Sequence, residues 1–147
     1  MGLRDVRQKI TELLAGQKFG ILATLGKGYP YQSIVAFTVM GGMKYILFAT
    51  RRSTSKYRNL QKSLQVSVFI DDRSNRESDI HAATGITALG DAAELSGAAH
   101  SRSRTLFIGK HPALKDFLLD HDCALFKIKV RAYYVVLNFQ EVTQIRM

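Results

Sequence analysis

Val6, Ile10, Leu13 and Leu14 recur at helical spacing near the start of the chain, with Asp5 placed to cap the first turn and Gly16 to end the last. From Phe19 the period changes. Phe19 to Leu25 reads as a strand, and Gly26-Lys27-Gly28-Tyr29-Pro30 as the turn after it. Tyr31 to Met40 reads as a second strand, with Ser33, Val35, Phe37 and Val39 on one side and Ile34, Ala36, Thr38 and Met40 on the other. Both faces are largely apolar, which predicts a barrel wall covered on its outer side. Gly41-Gly42 predicts a two-residue hairpin turn, because two successive positive φ angles suit glycine, and Lys44 to Thr50 returns as a third strand.

A short helix follows, capped by Ser53 or Thr54 and carrying Tyr57, Leu60 and Leu64 on its apolar stripe. Gln65 to Ile70 is a fourth strand. An extended segment is expected from about Ile80 to Leu95, with Gly85 and Gly90 marking bulges or bends. Two helical pieces come next, one through Leu106 and Phe107 and one opening at Pro112. Phe126, Ile128 and Val130 alternate with Lys127, Lys129 and Arg131, and Tyr133 to Phe139 and Val142 to Ile145 complete the sheet. About six strands in antiparallel hairpin order predict a mainly β fold, a small barrel with peripheral helices, because closure removes exposed edges.

The 147 residues suit one domain spanning 1–147. Apolar runs are too short and interrupted to cross a bilayer, and the charged start lacks the apolar core of a signal peptide. A lone cysteine, Cys123, excludes an internal disulfide. The expected location is the cytoplasm. His81, His100, His111 and His121 share no metal-ligand spacing, and neither a nucleophile elbow nor a glycine-rich nucleotide loop occurs.

Charge changes the picture. The net charge is +9, and no acidic residue stands between Glu12 and Asp71, a stretch that holds eight cations. Five of them lie between Arg51 and Lys62. Thr50, Ser53, Thr54 and Ser55 place hydroxyls in the same turn, just where a helix opens with unpaired amides and the positive end of its dipole. Donors and cations so arranged suit a phosphate dianion, although Ser and Thr also favour such positions simply as caps.

Gly20-Ile21-Leu22-Ala23-Thr24-Leu25, then Gly28-Tyr29-Pro30-Tyr31-Gln32-Ser33-Ile34-Val35, then Phe48-Ala49-Thr50 with Ser55-Lys56 and Asn59-Leu60, resemble the FMN-binding split-barrel family related to pyridoxamine 5′-phosphate oxidase. The resemblance runs from Phe19 to about Leu95 and more loosely through the final strands. It implies a six-stranded antiparallel split barrel, working as a homodimer with FMN in the groove between two copies. By position, Thr50, Arg51, Ser55 and Lys56 would hold the cofactor phosphate. Gln32, Ser33, Ile34 and Val35 would run along the isoalloxazine ring. The pyridoxamine oxidases of that family carry an arginine- and tryptophan-containing signature near the C-terminus; this chain has no tryptophan, and Tyr133 to Met147 shows no such pattern. The ending Val135 to Val142 is closer to members described as flavin-binding or linked to haem utilisation. The expected function is therefore a flavin-dependent oxidoreductase acting on a small molecule. One alternative is a non-catalytic FMN-carrying or haem-handling protein. A third reading, ranked lowest, is a basic barrel that binds nucleic acid through cations and tyrosines.

Overall fold

The computed structural model describes residues 2–147. An amphipathic helix, α1 (Leu3–Gly16), precedes the sheet and buries Val6, Ile10, Leu13 and Leu14. Its cap differs from the expectation: Gly2 occupies the N-cap, and Asp5 sits three residues in, where its carboxylate accepts a hydrogen bond from the Gly2 amide at 3.3 Å.

Seven strands follow: β1 (Phe19–Gly26), β2 (Tyr29–Met40), β3 (Tyr45–Arg51), β4 (Gln65–Asp71), β5 (Gly85–Glu94), β6 (Cys123–Leu137) and β7 (Glu141–Arg146). All neighbours are antiparallel, in the order β3-β2-β1-β4-β5-β6, and β3 pairs with β6 to close a six-stranded barrel. Strand β7 lies outside the ring. It pairs with the second half of β6, whereas β3 pairs with the first half of the same edge.

The turns follow local chemistry. Lys27 and Gly28 both have positive φ between the paired Gly26 and Tyr29, so the two-residue hairpin is here. Gly41 and Gly42 also have positive φ, but the connection between Met40 and Tyr45 is four residues long. The segment expected to run extended from Ile80 begins instead with a single helical turn, α3 (Asp79–Ala82), before β5. The carboxylate of Asp79 accepts the amides of Ser74 and Arg76, which folds that polar loop onto itself. The expected break at Gly90 is real. The register of β5 on β6 shifts at Leu89/Gly90, and a Cβ on Gly90 would stand 2.4 Å from the Lys129 carbonyl oxygen. Gly85 opens β5 in regular register. The late alternating residues, read as separate strands, form the single 15-residue β6.

Alternation along the strands divides the apolar residues into two clusters. Inward-facing Leu22, Val35, Phe37, Ile46, Phe48, Phe126 and Ile128 fill the barrel together with the buried face of α1. The Phe48 and Phe126 rings stack at 5.2 Å, and the buried Tyr133 hydroxyl donates to the Met43 carbonyl at 2.7 Å. A smaller cluster lies on the outer face of β3 and β6. There Leu47 and Leu125 meet Phe107 of α4 (Gly97–Lys110) and Leu118 of α5 (Lys115–Leu119). Pro112 begins a 3₁₀ turn, Pro112–Leu114, between these helices. The apolar outer face predicted for β2 is thus covered over part of its length. His111 fixes this roof: it is buried, and its Nε2 donates to the Phe37 carbonyl at 2.7 Å.

Candidate functional site

The roof stops short of the β2–β3 edge and leaves a groove of about 340 Å³. Its sheet wall is built from Phe19 of β1, Ile34 and Ala36 of β2 and Ala49 of β3. Phe107, Leu114 and Phe117 form the facing wall. Small side chains at Ala36 and Ala49 leave the strands accessible between the aromatic flanks. At one end the groove meets Thr50, Arg51, Thr54 and Lys56. Its open side is rimmed by Ile34 and Phe19, which are 70% and 58% exposed.

The polar end is set by α2 (Ser55–Lys62). Thr54 is its N-cap, and its Oγ1 accepts the Tyr57 amide at 3.3 Å. The Thr50 and Thr54 hydroxyls lie 2.9 Å apart, and Thr54 also donates to the Arg51 carbonyl at 2.8 Å. These hydroxyls shape the turn. Ser53 donates to Asp122, and Ser55 accepts from Arg58 at 2.9 Å. Arg52 is engaged as well: it donates to the His121 and Cys123 carbonyls and pairs with Glu94 at 3.0 Å, which raises its pKa. Most of the donor-rich turn is therefore satisfied within the protein, as a cap requires.

Two cations remain at the groove. The Arg51 guanidinium lies over the Phe117 ring at 5.3 Å and stands 3.6 Å from Asp120. Lys56 has no carboxylate within 4.0 Å among the described residues. Burial lowers its pKa, because the ammonium loses water without gaining a counterion. An anion placed there would restore the compensation that the fold does not supply.

Of the residues singled out in the sequence, Ile34, Val35, Thr50, Arg51 and Lys56 come together at this groove. Gln32 is exposed on β2 beyond it. Ser33 alternates with Ile34 and turns to the inner side, where its buried Oγ has no hydrogen-bond partner among the described residues. Ser55 lines a neighbouring groove on the other side of α2. Phe19, Phe107 and Phe117 were not legible as site residues. The positions of α4 and α5 in space bring Phe107 and Phe117 to the strand edge, and the pairing of β1 with β2 brings Phe19 there. His81 lies exposed on α3 and does not line the groove.

The sequence profile of the pyridoxamine 5′-phosphate oxidase family matches residues 6–136. The chain belongs to this family. Solved structures agree on the fold of this family member. A heme binding protein from Mycobacterium smegmatis superposes with a TM-score of 0.85 at 20% identity, over 95% of this chain and 57% of that one. The chain thus spans little more than half the length of that protein. General Stress Protein 26 from Bacillus anthracis gives 0.75 at 21% identity, covering 97% of this chain and 98% of its own. A FAD-binding protein from Mesorhizobium loti gives 0.72 at 16% identity, covering 87% and 90%. Among functionally curated proteins no sequence relative is found. No helix among the described residues is long and apolar enough to cross a membrane.

Proposed function

We propose that this family member binds FMN in the β2–β3 groove and acts as a cytoplasmic oxidoreductase on a small molecule. The observation that carries the reading is the groove's polarity: flat apolar walls lead to a half-buried, uncompensated Lys56. A planar ring with a phosphate at one end matches that gradient. Lys56 and Arg51 would hold the phosphate. Ala36 and Ala49 would let the ring lie close to the strands, while Phe107 and Phe117 would exclude water from one side. When bound, the flavin supplies hydride or electron transfer, and the chain's own part is to hold, orient and desolvate it.

The groove is open on the side of Ile34 and Phe19, and we propose that a second copy of the chain closes it, so that FMN lies at a homodimer interface. Exposed apolar residues next to a half-walled groove support this reading. Haem is the less favoured ligand. Among the described residues no histidine lines the groove, and His111, which packs beneath its roof, is engaged with Phe37.

FMN titration monitored by flavin absorption tests the proposal. Uptake should persist in high salt, and Lys56→Ala should weaken it by about 1.5–3 kcal/mol, the range for a hydrogen bond to a charged group. Protein that takes up no FMN, or a Lys56→Ala variant that binds as tightly as the parent, would overturn the assignment. Light scattering tests the dimer: the flavin-loaded protein should have twice the 16.5 kDa chain mass, and a monomeric mass rejects an interface site.

A further inference from the structure

The far side of α2 faces a second groove, of about 570 Å³, between that helix and the β1–β2 hairpin. Its residues carry a single sign of charge. Lys27 projects from the hairpin turn and Arg58 and Lys62 from α2, and none of the lining residues is acidic. None of the three cations forms an ion pair among the described residues; Arg58 donates only to the neutral Ser55 Oγ and Ser53 carbonyl. The opposite wall presents Tyr29 and Tyr31, which are 79% and 45% exposed. Exposed aromatic rings beside unpaired cations are not accounted for by packing.

The groove is also held in shape. Asn59 donates to the Thr24 hydroxyl at 3.0 Å and thereby joins α2 to β1. Gly26 leaves room for it, since a Cβ there would stand 2.5 Å from the Asn59 side chain. Lys27 adopts a left-handed backbone with φ of 44°, a conformation that glycine or asparagine adopts more readily. A cation thus stands where turn geometry alone would select another residue.

We propose that this groove binds a nucleoside phosphate, with the base stacked on Tyr29 and Tyr31 and the phosphate held by Lys27, Arg58 and Lys62. Tyrosine faces bind bases by stacking, and fixed cations without internal counterions bind phosphate. The groove's size suits a small ligand. Its access is independent of the flavin groove, because Ser55 and Lys56, adjacent in sequence, face the two grooves separately.

Calorimetric titration of the full chain with AMP tests this inference, with inorganic phosphate and a single-stranded oligoadenylate titrated in parallel. AMP should bind at least tenfold more tightly than phosphate. Tyr29→Ala combined with Tyr31→Ala should weaken AMP by tenfold or more, and Lys27→Gln with Lys62→Gln should weaken both AMP and phosphate. These positions are exposed, and circular dichroism and the melting temperature will verify that each variant is folded. Lys56→Ala should leave AMP binding unchanged. The proposal fails if AMP does not bind at about 1 mM, or if phosphate binds as well as AMP. It also fails if Lys56→Ala rather than the groove variants removes AMP, which would put the nucleotide in the flavin groove. Oligoadenylate binding a hundredfold tighter than AMP, with steep salt dependence, would replace it with nucleic-acid binding.

Discussion

The inside and the outside of the β2–β3 wall are made from alternate residues of the same strands, yet they do different work. Inside, Val35, Phe37, Ile46 and Phe48 are buried to within a few per cent and belong to the barrel core. Outside, Leu47 is equally buried under α4 and α5, but Ile34 on the same face stands 70% exposed at the edge of a groove. Closure of the barrel completes the inner face. The outer face is completed only where helices cover it, and the uncovered remainder is where a ligand or a second copy can be accommodated.

The strongest test of that contrast is a truncation on the inner side. Phe126→Ala removes a ring stacked on Phe48 and should destabilise the fold by about 3–5 kcal/mol, measured by urea unfolding. Ile34→Ser on the outer face should shift unfolding by less than about 0.5 kcal/mol. Comparable losses at the two positions would mean that the outer face already belongs to the core.

This division was partly legible in the sequence, because period-two alternation marks the two faces of β2 and a positive-φ turn marks the hairpin. The closed antiparallel barrel was expected from the run of hairpins, but its order was not: β4 pairs with β1 rather than with β3, and β3 closes the ring on β6. What remained hidden depends on distance in three dimensions. Arg52 reads as one more phosphate-binding cation, but Glu94 and the carbonyls of His121 and Cys123 engage it, and nothing nearby in sequence signals them. Ser55 and Lys56 read as one anion-binding unit, yet their side chains face different grooves, because consecutive residues of a helix point about 100° apart.

Gly90→Ala sharpens the comparison on the other side of the barrel, where β5 crosses the bulge in β6. The added methyl meets the Lys129 carbonyl, which cannot rotate away as a side chain could, so a loss of about 1–3 kcal/mol is expected in thermal unfolding. Tyr133→Phe has a smaller effect. It removes one buried hydroxyl donor and should destabilise by about 1 kcal/mol.

The same tyrosine gives the interior a pH dependence. Burial holds its phenol protonated above the ordinary value of 10, so the stabilising contribution is present below pH 10 and declines as pH rises beyond it. Lys110 acts in the opposite sense. It donates to the Leu14 carbonyl and lies over the Phe37 ring, and burial lowers its pKa from 10.5 to about 8. The charged form is therefore disfavoured in the fold, and stability gained by deprotonation appears as pH rises from about 8 toward 10.5. Unfolding measured across pH 7–11 should show a rise followed by a fall. Tyr133→Phe should reduce the fall and Lys110→Met the rise; a fall unchanged by Tyr133→Phe would assign it to other groups.

One strand, β6, is shared along a single edge by two neighbours, β3 at its start and β7 at its end. Detaching β7 would uncover the backbone of Ala132 to Leu137 without opening the ring, since β3 continues to seal the other half. Amide exchange should therefore divide β6 into a slow half and a faster half. The faster half is also the stretch of main chain that a foreign strand could pair with before the barrel itself unfolds, so aggregation of this protein would begin at its last hairpin rather than in its core.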